Sequence, residues 1–119
     1  MTNIFKDVER FNEACDQEVN DSNYAMYLTL VNEEMGELAH ALIAQDKVEQ
    51  LDALIDILVV TAGAIRAGGY DGEGAWKEVM ETNFAKIDKV TGKVTKREDG
   101  KVLKPEGWKA PNLKPFLGD

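Results

Sequence analysis

One cysteine, one histidine and three prolines are all that this 119-residue chain holds of the residue types that build disulfide frameworks, imidazole metal sites and chain breaks. A lone Cys15 cannot close an internal disulfide, which fits a reducing compartment. Its place beside Phe11 on an apolar stripe makes it a buried space-filler rather than a reactive thiol. No apolar run reaches the roughly 18 residues of a membrane span. The opening "MTNIFKDVERF" has charges where a secretory leader needs an apolar core. These absences lead to the expectation of a cytoplasmic protein that touches no membrane. A broad positive surface is also missing, since the formal net charge is −8, and this excludes a general nucleic-acid binder. Neither "GAIRAGG" nor "GYDGEGAW" has the preceding strand or the lysine that a phosphate loop requires.

What is present is distributed unevenly. Residues 1–81 carry 5 basic and 17 acidic side chains, whereas residues 82–119 carry 9 basic and 5 acidic. An acidic body with a basic tail suits a metal in one part and phosphates at the other. The length predicts one domain, 1–119, with a helical body over 1–88 and an extended tail over 89–119.

Ile4, Val8, Phe11 and Cys15 recur at helical spacing and predict a first helix from about Thr2 to Gln17. "NDSN" breaks it and offers caps to a second helix, about Tyr24 to Ala44, whose expected core stripe is Tyr27, Val31, Met35, Leu38 and Leu42. After the short turn "AQDK" a third helix, about Lys47 to Ala67, folds back and stops at Gly68 and Gly69. A fourth runs from about Glu73 to Ile87 with Trp76, Met80 and Phe84. Met26, Met35 and Met80 read as core filler. In the tail, "KVTKREDGKVLK" places two short runs around Asp99-Gly100, which suits a two-residue hairpin turn. Pro105, Pro111 and Pro115 keep the remainder extended.

The second helix sets Glu33, Glu34 and Glu37 together. Like charges three and four apart cost about 0.2–0.5 kcal/mol per pair in an isolated helix, so something must offset them. Glu34 and Glu37 project from the edge of the core stripe, while Glu33 lies farthest from it. On the third helix Glu49, Asp52 and Asp56 share a face. Leu51, Leu54, Ile55, Leu58 and Ala62 line its opposite side, so this helix is expected to be buried on both flanks. Carboxylates there, facing others across a short hairpin, must be protonated or neutralised. Oxygen donors without histidine or thiolate suit a hard ion, Mg²⁺ or Mn²⁺. His40 follows Glu37 by three, but a lone helical histidine is ordinarily a surface residue and is left out of the set. On the fourth helix Trp76, Met80, Asn83 and Ile87 share a stripe. The amide of Asn83 either reads a nucleobase edge or sugar hydroxyl, or bonds to nearby backbone.

With these residues in place, the chain resembles the all-α nucleoside triphosphate pyrophosphohydrolase superfamily, and within it the phosphoribosyl-ATP pyrophosphohydrolase-like and MazG-like proteins. The likeness lies in "NEEMGELAHAL", "DALIDILVVTAGAIRAGGYD", "ETNFAKID" and "DGKVLKPEGWKAPNL", in that order. It implies a bundle of four to five helices with an extended tail, assembled as a homodimer or homotetramer. It also implies Mg²⁺-dependent hydrolysis of a nucleotide between its α and β phosphates. Carried over residue by residue, Glu34 and Glu37 bind the metal, and Glu33 is an outer ligand or water-orienting catalytic group. Asn83 and Lys86 contact the nucleotide. The second motif departs from the usual E-x-x-D, because Ala53 stands in the glutamate's place when Asp56 is the terminal aspartate. Asp52 with Asp56 is the preferred pair, and Glu49, within "EQLD", is the fallback.

Overall fold

The computed structural model describes residues 3–118 and contains four α-helices: α1 (Ile4–Ala14), α2 (Asp21–Ile43), α3 (Lys47–Ala67) and α4 (Gly72–Phe84). Among the described residues no strand forms, and the chain is all-α. No described helix is long and apolar enough to cross a membrane. Backbone packing divides the chain into two compact units, one ending at Gly72 and also taking in Gly118, the other Glu73–Leu117.

Side-chain caps set the starts of the first three helices. Asn3, Asn20 and Asp46 each accept a hydrogen bond from the backbone N–H three residues on, at 2.9, 2.7 and 3.1 Å. The Asn20 cap starts α2 at Asp21, three residues before the expected Tyr24. The expected first residue of α1, Thr2, lies outside the described residues. That helix ends at Ala14 rather than Gln17, because Asp16 turns to a left-handed φ of 56° and Gln17 N–H folds back onto Asn12 O. Cys15 therefore caps the helix and is exposed, not the buried filler its stripe suggested.

In the first unit α3 is the central element, packed along α2 and against α1. Its buried residues are Ala53, Ala62, Gly63, Ala64 and Ala67. Small side chains let α2 approach closely, and the ring of Tyr27 lies where a Cβ on Gly63 would come within 2.5 Å of it. Tyr27 packs with Ala64 and Ala67, flanked by Tyr24, Leu30 and Val60. Its hydroxyl bonds Asn12 Oδ1 at 2.8 Å and also Gln17 Oε1, so a polar knot joins α1, the α1–α2 loop and α2.

The larger aliphatic residues lie elsewhere than expected. Leu51 is 61% exposed and Leu54, Ile55 and Leu58 are each about half exposed. The flank of α3 that was to be buried with Ala62 is thus bare in the single chain. Met35 and Leu42, assigned to the α2 core stripe, are also more than half exposed. The physical reason is shared: the small residues of α3 take the close contact with α2, which leaves its larger aliphatic residues on the opposite side.

The second unit consists of α4 from Glu73 onward and a turn-rich segment. The fourth helix stops at Phe84, three residues before the expected Ile87, because Ile87 pairs antiparallel with Val94. Asp88 closes that turn by accepting from the N–H groups of Val90 and Thr91. The next hairpin pairs Lys96 with Val102, and Arg97 N–H bonds Lys101 O at 2.7 Å. Three residues, Glu98 to Gly100, make its loop, not two. Gly100 at a φ of 91° provides the left-handed step that closes the turn onto Arg97 O, and Asp99 binds Arg97 and the Lys101 N–H.

Candidate active site

The helix pair of the first unit brings together carboxylates that are far apart in sequence. Glu34 on α2 is half-buried, and its Oε2 is buried with no hydrogen-bond partner. Its pKa is raised to about 7. The largest cause is a carboxyl–carboxyl hydrogen bond with Glu37, followed by burial and then by the charges of Glu37, Asp56 and Asp52. Such a bond exists only while one partner carries a proton. Asp56 is pushed above the usual carboxylate range first by burial, then by the charges of Asp52 and Glu37, and by a hydrogen bond with Asp52. Four acidic groups from two helices thus act on one another, and a full set of negative charges there is unfavourable without a counter-ion.

Glu33 is exposed on α2 and is not among the groups that act on Glu34 or Asp56. Glu49 also lies outside that set. It lines a concavity of about 590 Å³ whose wall includes Glu37, His40, Asp46 and Asp52. His40, set aside on sequence grounds, belongs to this wall. Its spacing of three from Glu37 was the available signal.

Among the described residues no three His, Cys, Asp or Glu side chains stand ready as a closed ligand set for a metal ion. The donor chemistry nevertheless fits a hard divalent cation. All four groups present oxygen, and the unpartnered Glu34 Oε2 has no donor to stabilise its charge.

Asn83 and Lys86 lie in the second unit, both half-buried. Lys86 Nζ donates to Asn83 Oδ1 at 3.1 Å, so the amide is engaged by a side chain rather than by the backbone bond considered from spacing. Lys86 Nζ also sits 4.9 Å from the ring centre of Trp108. Spacing gave no hint of this contact, since 22 residues separate the two.

An all-α body with mutually interacting carboxylates on two adjacent helices defines a class of helical proteins with an acidic centre. The family model for phosphoribosyl-ATP pyrophosphohydrolase matches residues 4–83, and the chain belongs to that family, within the all-α nucleoside triphosphate pyrophosphohydrolase superfamily. This is a family of pyrophosphohydrolases, hydrolases that act on phosphoric anhydrides. The matched stretch includes both acidic helices and Asn83 and ends before Lys86. Among curated proteins none matches the chain.

Proposed function

We propose that the chain hydrolyses a (deoxy)nucleoside triphosphate between its α and β phosphates, releasing a monophosphate and pyrophosphate, with Mg²⁺ as cofactor and Mn²⁺ as the alternative. The observation that carries this reading is the buried, unpartnered Oε2 of Glu34 amid Glu37, Asp52 and Asp56. In this reading Glu34, Glu37, Asp52 and Asp56 hold the cation. Held there, the ion would supply charge screening for the triphosphate and acidity to a nearby water. Glu33, free of the crowded set, orients the attacking water and takes its proton. The water oxygen ends on one of the two phosphorus atoms as the bridging oxygen leaves with the other, and no covalent enzyme intermediate is required. Asn83 and Lys86 contact the nucleotide.

A second substrate is favoured by the matched family's own name. Phosphoribosyl-ATP offers the same anhydride to the same carboxylates and differs in what surrounds the base, so the two readings share their chemistry. A homodimer or homotetramer is part of the proposal, because Leu51, Leu54, Ile55 and Leu58 form an apolar flank that a second copy would cover. A cytoplasmic location goes with it.

The test is pyrophosphate release from purified protein with Mg²⁺ across the common ribo- and deoxyribonucleoside triphosphates and phosphoribosyl-ATP. Turnover of one nucleotide class assigns the substrate. Saturable binding of nucleotide without pyrophosphate release from any of them would replace the enzyme with a non-catalytic binding module.

A further inference from the structure

Two fasteners hold α2 and α3 in register, one at each end of the stretch they share. At one end the Tyr27 ring lies over Gly63, where a hydrogen fits and a methyl does not. At the other, the half-buried Gln50 on α3 reaches back to α2 and donates from Nε2 to Ala41 O at 3.3 Å. Among the described residues this is the one side-chain hydrogen bond between the two helices.

The bond grows out of the turn that joins them. Gln45 takes a left-handed φ of 54°, and the N–H groups of Gln45 and Asp46 return to Leu42 O and Ala41 O at 3.2 and 3.1 Å. Helix ends whose last carbonyls lack partners are closed in this way. Asp46 then caps α3, and Gln50 N–H bonds Asp46 O at 2.9 Å, which places Gln50 one turn into the helix. The Ala41 carbonyl therefore accepts twice, from the Asp46 backbone and from the Gln50 side chain.

Glu37 and Glu34 stand about one and two turns before Ala41, and Asp52 and Asp56 follow Gln50 within about two turns. A slip of one residue in α3 would carry its carboxylates about 1.5 Å along the axis. Mg²⁺ takes oxygen ligands at about 2.0–2.1 Å in near-octahedral geometry and does not tolerate such a displacement. Gln50 is not on the wall of the concavity of about 590 Å³, whereas Ala41 and Ala53 are. Its amide is spent on the carbonyl, and being neutral it adds no cation to compete for the carboxylates.

We infer that Gln50 is a positioning residue: its bond to Ala41 O sets the register in which Glu34 and Glu37 meet Asp52 and Asp56. The inference rests on the reading of those four groups as a cation site, and it adds a residue that touches neither cation nor nucleotide.

The test compares the full-length chain with Gln50→Met, which keeps the length and loses the donor, and Gln50→Asn, whose amide is too short to reach. A third variant, Asn20→Ala, removes the cap at the far end of α2. Mn²⁺ affinity is read by electron paramagnetic resonance without nucleotide, and stability by urea unfolding. Both Gln50 variants weaken Mn²⁺ binding by about tenfold, the low end of what partners behind metal ligands contribute. The Mg²⁺ concentration that half-saturates pyrophosphate release rises by the same factor. Asn20→Ala lowers the urea midpoint at least as much yet keeps the parent's Mn²⁺ affinity. Parent-like Mn²⁺ affinity in the Gln50 variants, or an equal loss in Asn20→Ala, would overturn the inference. A parent that binds Mn²⁺ but releases no pyrophosphate sinks the enzyme reading alone, and the affinities still decide the role of Gln50. A parent that binds no Mn²⁺ overturns both.

Discussion

The two units carry opposite clusters of charge and hold them by different means. On α2 and α3 of the first unit, Glu37 and Asp52 crowd Glu34 and Asp56 until proton binding to those two is favoured, and one oxygen of Glu34 is left buried and unpartnered. In the second, Lys86 and Lys104 are spread over an anchored aromatic ring that partly offsets their charge. The Arg97–Asp99 pair satisfies itself on the surface and shapes a hairpin. Uncompensated clusters of one sign call for a ligand of the other sign, while a self-compensated pair needs no more than water. The Tyr27, Asn12 and Gln17 knot lies between the two patterns inside the core: the tyrosine hydroxyl joins both amide oxygens, while Asn12 Nδ2 is buried without a partner.

The largest expected effect breaks the acidic side of this comparison. If Glu37 holds the proposed cation, Glu37→Gln lowers pyrophosphate release by more than about 100-fold. The helical circular dichroism signal survives the change. Undiminished turnover would remove Glu37 from the site, and an inactive Glu49→Gln beside an active Asp52→Asn would move the metal set by one turn.

Next comes the packing that holds the two helices in register. Gly63→Ala places a methyl within 2.5 Å of the Tyr27 ring and costs about 1–3 kcal/mol in urea unfolding. A neutral result would mean that α2 and α3 have slack to separate.

A smaller effect sharpens the electrostatic contrast. Because Glu34 titrates near pH 7 in the folded chain and near 4.5 when unfolded, the folded state binds more protons between those values. Metal-free stability therefore falls as pH rises from about 4.5 to 7, with the whole penalty present above that window. Thermal melts in EDTA across this range should show the decline. Glu34→Gln should flatten it, and an unchanged slope in that variant would assign the titration to another group. Smallest of all, Asp99→Ala leaves the thermal midpoint within experimental scatter, since the pair it breaks is exposed.

Much of the fold was legible along the chain because its signals are local. Helical spacing and the Asn20 cap depend on residues within a turn of each other, so α3 was placed at its observed ends and the cap of α2 lay within the polar break that suggested it. Errors arose where a residue's neighbour is distant. Cys15 shares a stripe with Phe11, yet the left-handed Asp16 ends the helix before that stripe can bury it. The three-residue hairpin loop likewise depends on the conformation of Gly100, which "DG" alone leaves undecided.

By itself the sequence determined four helices, an acidic pair of them and a basic tail, because periodicity, capping and net charge are properties of contiguous residues. Only the tertiary structure decided which face of α3 is core: alanines rather than leucines permit the close approach of α2, a choice that hydrophobicity ranks the wrong way round. It likewise decided that Glu34 and Asp56 feel Asp52 and Glu37, and that Lys86 shares a ring with Lys104. Those couplings fall off steeply with distance through space, and separation along the chain does not report that distance.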